Sequence, residues 1–113
     1  MSSRNPYALR AYAKRINYRC SQQEAFGRVS AEDIAGVFAI WGEQCFYCLE
    51  PLTIGVNASL DHLVPLSVGG VNTKRNLVPC CTYCNNRKGD RLVVYDRKAH
   101  RLVFKYHPRK ADW

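Results

Sequence analysis

The sequence predicts a small α+β domain held by a metal staple. Three observations carry that expectation: two helical patterns before residue 42, two C-x2-C pairs bracketing a β-prone middle, and two β-prone runs near the C-terminus. At 113 residues the chain has room for one domain, and a domain of this size buries a modest share of its surface, so a staple helps it fold. Within 1–113 we expect a basic helical extension at 1–29, a core at 30–90 and a basic hairpin or tail at 91–113.

Asn5 followed by Pro6 predicts a helix start, because the asparagine side chain can accept a first-turn N–H and proline lacks the donor that N1 would leave unpaired. Leu9, Tyr12, Ala13 and Ile16 then share a helical stripe, with Arg10 and Lys14 off it; the weakly periodic CSQQEAFGRV reads as a connector or frayed helix end. In the second helix Ser30 caps and Asp33 takes the capping-box position, while Ile34, Val37, Phe38 and Trp41 form an apolar face that Gly42 ends. A short apolar segment follows at 54–63, then a Gly69-Gly70 turn and a helix starting near Cys84 that carries Asn85 to Lys88. Finally RLVVY and RLVFKY, separated by DRKAH, read as a hairpin with a loop of about five residues, without the glycine such loops favour.

Six cysteines suggest either disulfides or metal. The first twenty residues, MSSRNPYALRAYAKRINYRC, contain no apolar run of the signal-peptide kind, and no stretch approaches the roughly 20 apolar residues of a membrane span. The expected setting is intracellular and reducing, with no membrane partner, where paired cysteines bind metal more often than they cross-link. Cys45-Phe-Tyr-Cys48 and Cys81-Thr-Tyr-Cys84 have the spacing that turns two sulfurs toward one point, and two such pairs complete a tetrahedron around Zn(II). Four thiolates leave no open position, so this zinc is structural, pinning the ends of the insert at 49–80. Cys80 is an alternative to Cys81 at wider spacing, and Cys20 reads as a spare thiol.

Charge is unevenly spread. Residues 1–28 hold six Lys/Arg and one acid, residues 29–73 five acids and no Lys/Arg, and residues 74–113 eleven Lys/Arg and three acids, for a net +8. Two basic ends around an acidic centre fit a phosphate backbone gripped at two flanks, with Arg10, Lys14, Arg15, Arg87, Lys88 and Arg91 as the DNA-binding candidates.

The middle carries the chemistry. CFYC at 45–48, then DHLVPLSVGGVNTKRNLVPCCTYCNNRK at 61–88, resembles the HNH endonuclease family, specifically its zinc-containing ββα-metal subgroup found in phage, restriction and homing nucleases. The resemblance covers about residues 30–90: an Asp-His pair, a P-x3-GG turn, an Asn-Leu step fourteen residues after His62, and a C-x2-C-N-x2-K ending, in order. It implies a strand, a glycine turn, a second strand and a helix around one catalytic metal. His62 would be the general base, Asp61 a metal ligand, Asn76 the residue that orients His62 and braces the loop, and Asn85 the second ligand, with Asn86 adjacent as an alternative. Asparagine where some members have histidine offers a neutral, hard oxygen, which favours Mg(II) or Mn(II) over a second zinc.

The same chemistry follows from elementary requirements. In-line phosphodiester hydrolysis needs a base near neutral pH, a cation on the developing charge and a group to hold the phosphate. An imidazole with an ordinary pKa of about 6.5 meets the first requirement. Adjacent strand residues face opposite sides, so Asp61 and His62 can serve one phosphate only across a strand end, which Pro65 and the following turn favour, or where the backbone is irregular. The expected function is a metal-dependent endonuclease acting on double-stranded DNA, alone, as a homodimer or with a phage packaging partner. The rivals are a zinc-stabilised DNA-binding module without independent catalysis, part of a larger packaging or repair complex, and a zinc-knit adaptor. His100 and His107 are given no catalytic role.

Overall fold

The computed structural model describes residues 5–98 and 100–105. Asn5 caps the first helix, its side chain accepting from Ala8 N at 3.2 Å, and α1 (Pro6–Gln22) buries Leu9, Tyr12 and Ala13. The helix continues through Cys20, where the sequence suggested a connector, because Cys20 stands one turn beyond Ile16 on the same stripe and is buried. Ser30 and Asp33 form the expected capping box of α2 (Ala31–Trp41), and Gly42 ends it. Ile34, Val37 and Phe38 are buried, each worth roughly 1.5–3 kcal/mol against leaving it in water. Trp41 differs from expectation: it stands 44% exposed, past the edge of the core, with its ring edge-on to Phe46 at 4.9 Å.

β1 (Ala58–His62) and β2 (Leu77–Cys81) pair antiparallel, with Asp61 opposite Val78 and His62 opposite Leu77. Between them lie two short 3-10 turns, Leu66–Val68 and Lys74–Asn76. Gly70 packs so closely against the backbone of Val64 that a Cβ would fall 1.9 Å from the Val64 carbonyl oxygen, so the turn requires glycine there. α3 (Thr82–Lys88) begins two residues before Cys84 because Cys81 acts as its cap, its sulfur accepting from Cys84 N at 3.3 Å. The strand–turn–strand–helix order is that of the expected core, and the architecture is α+β.

One buried cluster draws on α1, α2, β1 and β2, including Leu9, Tyr12, Ile34, Phe38, Leu77 and Cys80. Tyr12 adds a polar tie from α1: its hydroxyl donates to Ala58 O at 2.9 Å and accepts from Gly55 N at 2.9 Å. The second sheet pairs β3 (Leu92–Asp96) with β4 (Arg101–Lys105), Asp96 opposite Arg101. His100 adopts φ +54° and supplies the left-handed residue that the loop's sequence lacked as glycine. His107 lies outside the described residues. Among the described residues no helix is long and apolar enough to cross a membrane.

Candidate active site and metal centre

Cys45, Cys48, Cys81 and Cys84 bring their sulfurs within 4.8 Å of one another, and Cys48 Sγ lies 3.8 Å from Cys81 Sγ. Zinc–sulfur bonds of about 2.3 Å set tetrahedral sulfurs about 3.8 Å apart, so the cluster is sized for zinc. Its electrostatics agree. Burial pushes the Cys45 thiol up, but N–H groups from Cys48, Cys81 and Tyr47 bring it below the ordinary value, while burial and the neighbouring sulfurs hold Cys84 well above it. A divalent cation removes that mutual repulsion. Cys80, the alternative ligand, is buried elsewhere, its sulfur 4.0 Å from Ser59 Oγ.

The first knuckle is locked to the sheet. Phe46 N donates to Pro79 O at 2.8 Å, and Tyr47, between the first two cysteines, donates its hydroxyl to Asp61 Oδ2. Burial first, and then the Asp61 charge, raise the Tyr47 pKa, which keeps this phenol a donor. The zinc knuckle therefore holds the carboxylate of the Asp-His pair.

Asp61 and His62 are both buried and diverge as neighbours on a strand must. Asp61 faces Tyr47 and Lys88, whose Nζ lies 3.2 Å from Oδ2 and 3.1 Å from the His62 carbonyl oxygen. The His62 ring turns toward α1, with Nε2 3.0 Å from Asn72 Oδ1 and 3.8 Å from Cys20 Sγ. β1 ends at His62, so a cleft of about 430 Å³ beyond the strand end is lined by both residues, together with Arg19, Gln23, Asn85 and Asn86. Asn85 donates through Nδ2 to Ser59 Oγ at 3.2 Å, two residues along the strand from Asp61. The cleft lining offers carboxylate and amide oxygens from Asp61, Asp90, Asn85 and Asn86, the hard donor type that a magnesium-type ion takes.

Burial lowers the His62 pKa, partly offset by the Asn72 hydrogen bond and the Asp61 charge; Arg19 and Lys88 push further down. The imidazole is therefore neutral at cellular pH, as a general base must be.

Two expectations change. Asn76 braces the loop, accepting from Val64 N at 2.8 Å and donating to Val64 O and Val71 O at 3.0 and 2.9 Å. The His62 ring is hydrogen-bonded instead to the Asn72 side-chain oxygen, which accepts at Nε2, while Asn76 is spent on the backbone. Lys88, expected to contact DNA, is buried against Asp61 and has no route to a phosphate outside. Arg10, Lys14 and Arg15 are exposed on α1; Arg10 stacks over Tyr7 at 5.0 Å and Arg15 over Tyr12 at 5.4 Å. Arg87 is exposed over Tyr83 at 5.6 Å, and Arg91 is half-buried just beyond α3. Sequence reasoning passed over Arg19, although it lies one helical turn after Arg15 and lines the cleft. It also passed over Asn17, Tyr47 and Asn72, which carried no signal beyond their polarity.

Residues 45–91 match the family model described as HNH endonuclease, which places both cysteine knuckles and Asp61, His62, Asn76 and Asn85 inside an HNH segment. Among curated proteins, the CRISPR-associated endonuclease Cas9 of Corynebacterium diphtheriae is 46% identical over 48 residues, which are 42% of this chain and 4% of that protein. Among solved structures, the type II-C Cas9 enzyme from Actinomyces naeslundii aligns over 70% of this chain and 8% of its own, at 26% identity and a TM-score of 0.47. The chain thus corresponds to a small fraction of the length of either relative.

Proposed function

We propose that this chain is a metal-dependent endonuclease that hydrolyses phosphodiester bonds in double-stranded DNA. The observation that carries the reading is the grouping of a buried, neutral His62 with Asp61, Asn85 and Arg19 around one cleft at the end of β1, within the segment matched to the HNH endonucleases. His62 takes the proton from an attacking water. Arg19 stands where a phosphate entering the cleft would meet a cation. Mg(II) or Mn(II) bound to Asp61 and Asn85 would supply positive charge for the developing phosphorane and leaving oxygen. Lys88 competes for the same carboxylate, so binding of that ion is weak until DNA phosphate adds its own oxygens.

Zinc in the four-cysteine site is structural in this reading. Arg10, Lys14 and Arg15 on α1 and Arg87 and Arg91 around α3 hold the duplex at the flanks, which gives affinity without strong base readout. Arg10, Lys14 and Arg28 also line a groove of about 530 Å³ beside the start of α2, a second basic surface for phosphate contacts. By family resemblance the products carry 5′-phosphate and 3′-hydroxyl ends. One site cuts one strand, so a double-strand break takes two nicks, a homodimer or a partner.

The buried Lys88–Asp61 pair favours one second reading, a zinc-stabilised DNA-binding module in which the carboxylate stays tied to lysine and catalysis is absent in isolation. Conversion of supercoiled plasmid to nicked and linear forms separates the two. Metal-dependent cutting that His62→Ala abolishes, with zinc content and DNA binding intact, supports the nuclease. No cutting by folded, zinc-loaded, DNA-binding protein supports the module.

A further inference from the structure

We infer that Asn72, clamped by Asn17, is a positioning residue that fixes His62 in its Nε2–H tautomer and leaves Nδ1 as the proton-accepting nitrogen. The inference rests on the reading of His62 as the general base.

The geometry runs from backbone to ring through the two amides of Asn17 and Asn72. Val29 N donates to Asn17 Oδ1 at 2.9 Å, and Asn17 Nδ2 donates to Val29 O at 2.7 Å. A backbone N–H can only donate and a carbonyl can only accept, so the Asn17 amide has one possible orientation. Asn72 Nδ2 then donates to Asn17 Oδ1 at 3.0 Å and to Gly27 O at 3.4 Å. Both partners are acceptors, so the amide nitrogen of Asn72 must face them and its oxygen must face His62. That oxygen lies 3.0 Å from Nε2, and an amide oxygen accepts only; Nε2 therefore carries the proton. A neutral imidazole has one N–H, which leaves the lone pair on Nδ1. The Cys20 sulfur, 3.8 Å from Nε2, is a second and weaker acceptor for the same proton.

Asn72 has no freedom to escape this role. It is fully buried, and its own N–H donates to Phe26 O at 2.7 Å. Gly27, at φ +109°, presses so close that a Cβ would stand 2.5 Å from the Asn72 carbonyl oxygen. The clamp therefore comes from residues 17–29, which lie outside the matched segment at 45–91. This makes the basic N-terminal helix part of the catalytic unit, in addition to any contact it makes with DNA.

The test is a two-bond 1H–15N correlation spectrum of the zinc-loaded full chain, labelled with 15N at histidine and recorded at mildly alkaline pH. His62→Gln assigns the signals among the three histidines. Wild type is expected to show His62 protonated at Nε2. Asn72→Ala, or Asn17→Ala should the first not fold, is expected to mix the tautomers; Asn72→Asp, which keeps an acceptor toward the ring, is expected to retain Nε2–H. In the plasmid assay with Mg(II), Asn72→Ala should lower kcat about tenfold or more with KM little changed, a part of the roughly 10²–10⁴ that a positioned base contributes. Wild-type His62 protonated at Nδ1, or a tautomer unchanged in folded Asn72→Ala and Asn17→Ala, overturns the inference. A wild type that shows Nε2–H, with the tautomers mixed in Asn72→Ala, but cuts nothing overturns the nuclease reading and leaves the clamp standing.

Discussion

Lys88 and Asp61 form a buried ion pair, Nζ to Oδ2 3.2 Å, where α3 passes over β1. The same ammonium reaches the His62 carbonyl oxygen at 3.1 Å, so one side chain ties the helix to both members of the Asp-His pair. Lys88→Met removes one partner and leaves a buried carboxylate whose remaining side-chain partner is Tyr47. The variant should lose about 3–5 kcal/mol in urea unfolding of the zinc-loaded protein. Its DNA affinity and salt dependence should match wild type, since Lys88 reaches no solvent.

The zinc assignment separates Cys80 from its neighbours. Cys84→Ser should bind less zinc and unfold or aggregate, because the metal's binding energy is also folding energy. Cys80→Ser should keep its zinc, since Cys80 Sγ faces Ser59 Oγ and lies outside the four-sulfur cluster. Zinc content by atomic absorption beside circular dichroism reads both. A well-folded, metal-free Cys84→Ser would sink the structural role.

The pH dependence has a definite sign. Burial is the largest cause lowering the His62 pKa; the Asn72 bond and Asp61 oppose it, and Arg19 and Lys88 add to it. With the folded value below the unfolded value of about 6.5, the unfolded chain takes up the proton first on acidification. Stability from neutral His62 is whole above about pH 6.5 and is lost as the pH falls toward the folded value. Cleavage should follow the same direction, the acid limb of kcat lying below about pH 6.5 and vanishing with the residual activity in His62→Ala.

Arg10 and Lys14 occupy one exposed face of α1. Substituting each by alanine should weaken duplex binding evenly across sequences and reduce the slope of log K against log salt by about one per residue. Fluorescence anisotropy from low to moderate salt reads the slope; an unchanged slope would remove α1 from the DNA surface.

Much of this was legible in the sequence because it is written in local spacing. Asn5-Pro6 and Ser30 with Asp33 mark helix starts through bonds that close within four residues. Two C-x2-C pairs define a metal site because each knuckle is its own turn, and the Asp-His, Gly-Gly and Asn-Leu steps identify the strand–turn–strand core. Local spacing thus carried the α+β class, the four-cysteine cluster and three of the polar residues at the cleft, Asp61, His62 and Asn85, but not Arg19 beside them. Tertiary structure alone decided which groups touch. It took Lys88 from the DNA surface into the core, gave the His62 ring to Asn72 rather than Asn76, set Tyr47 against Asp61, and tied Asn17 to a ring 45 residues away in number. The reason is physical: a buried lysine, an amide's orientation and a histidine tautomer depend on partners that other elements bring into contact, and no local periodicity encodes them.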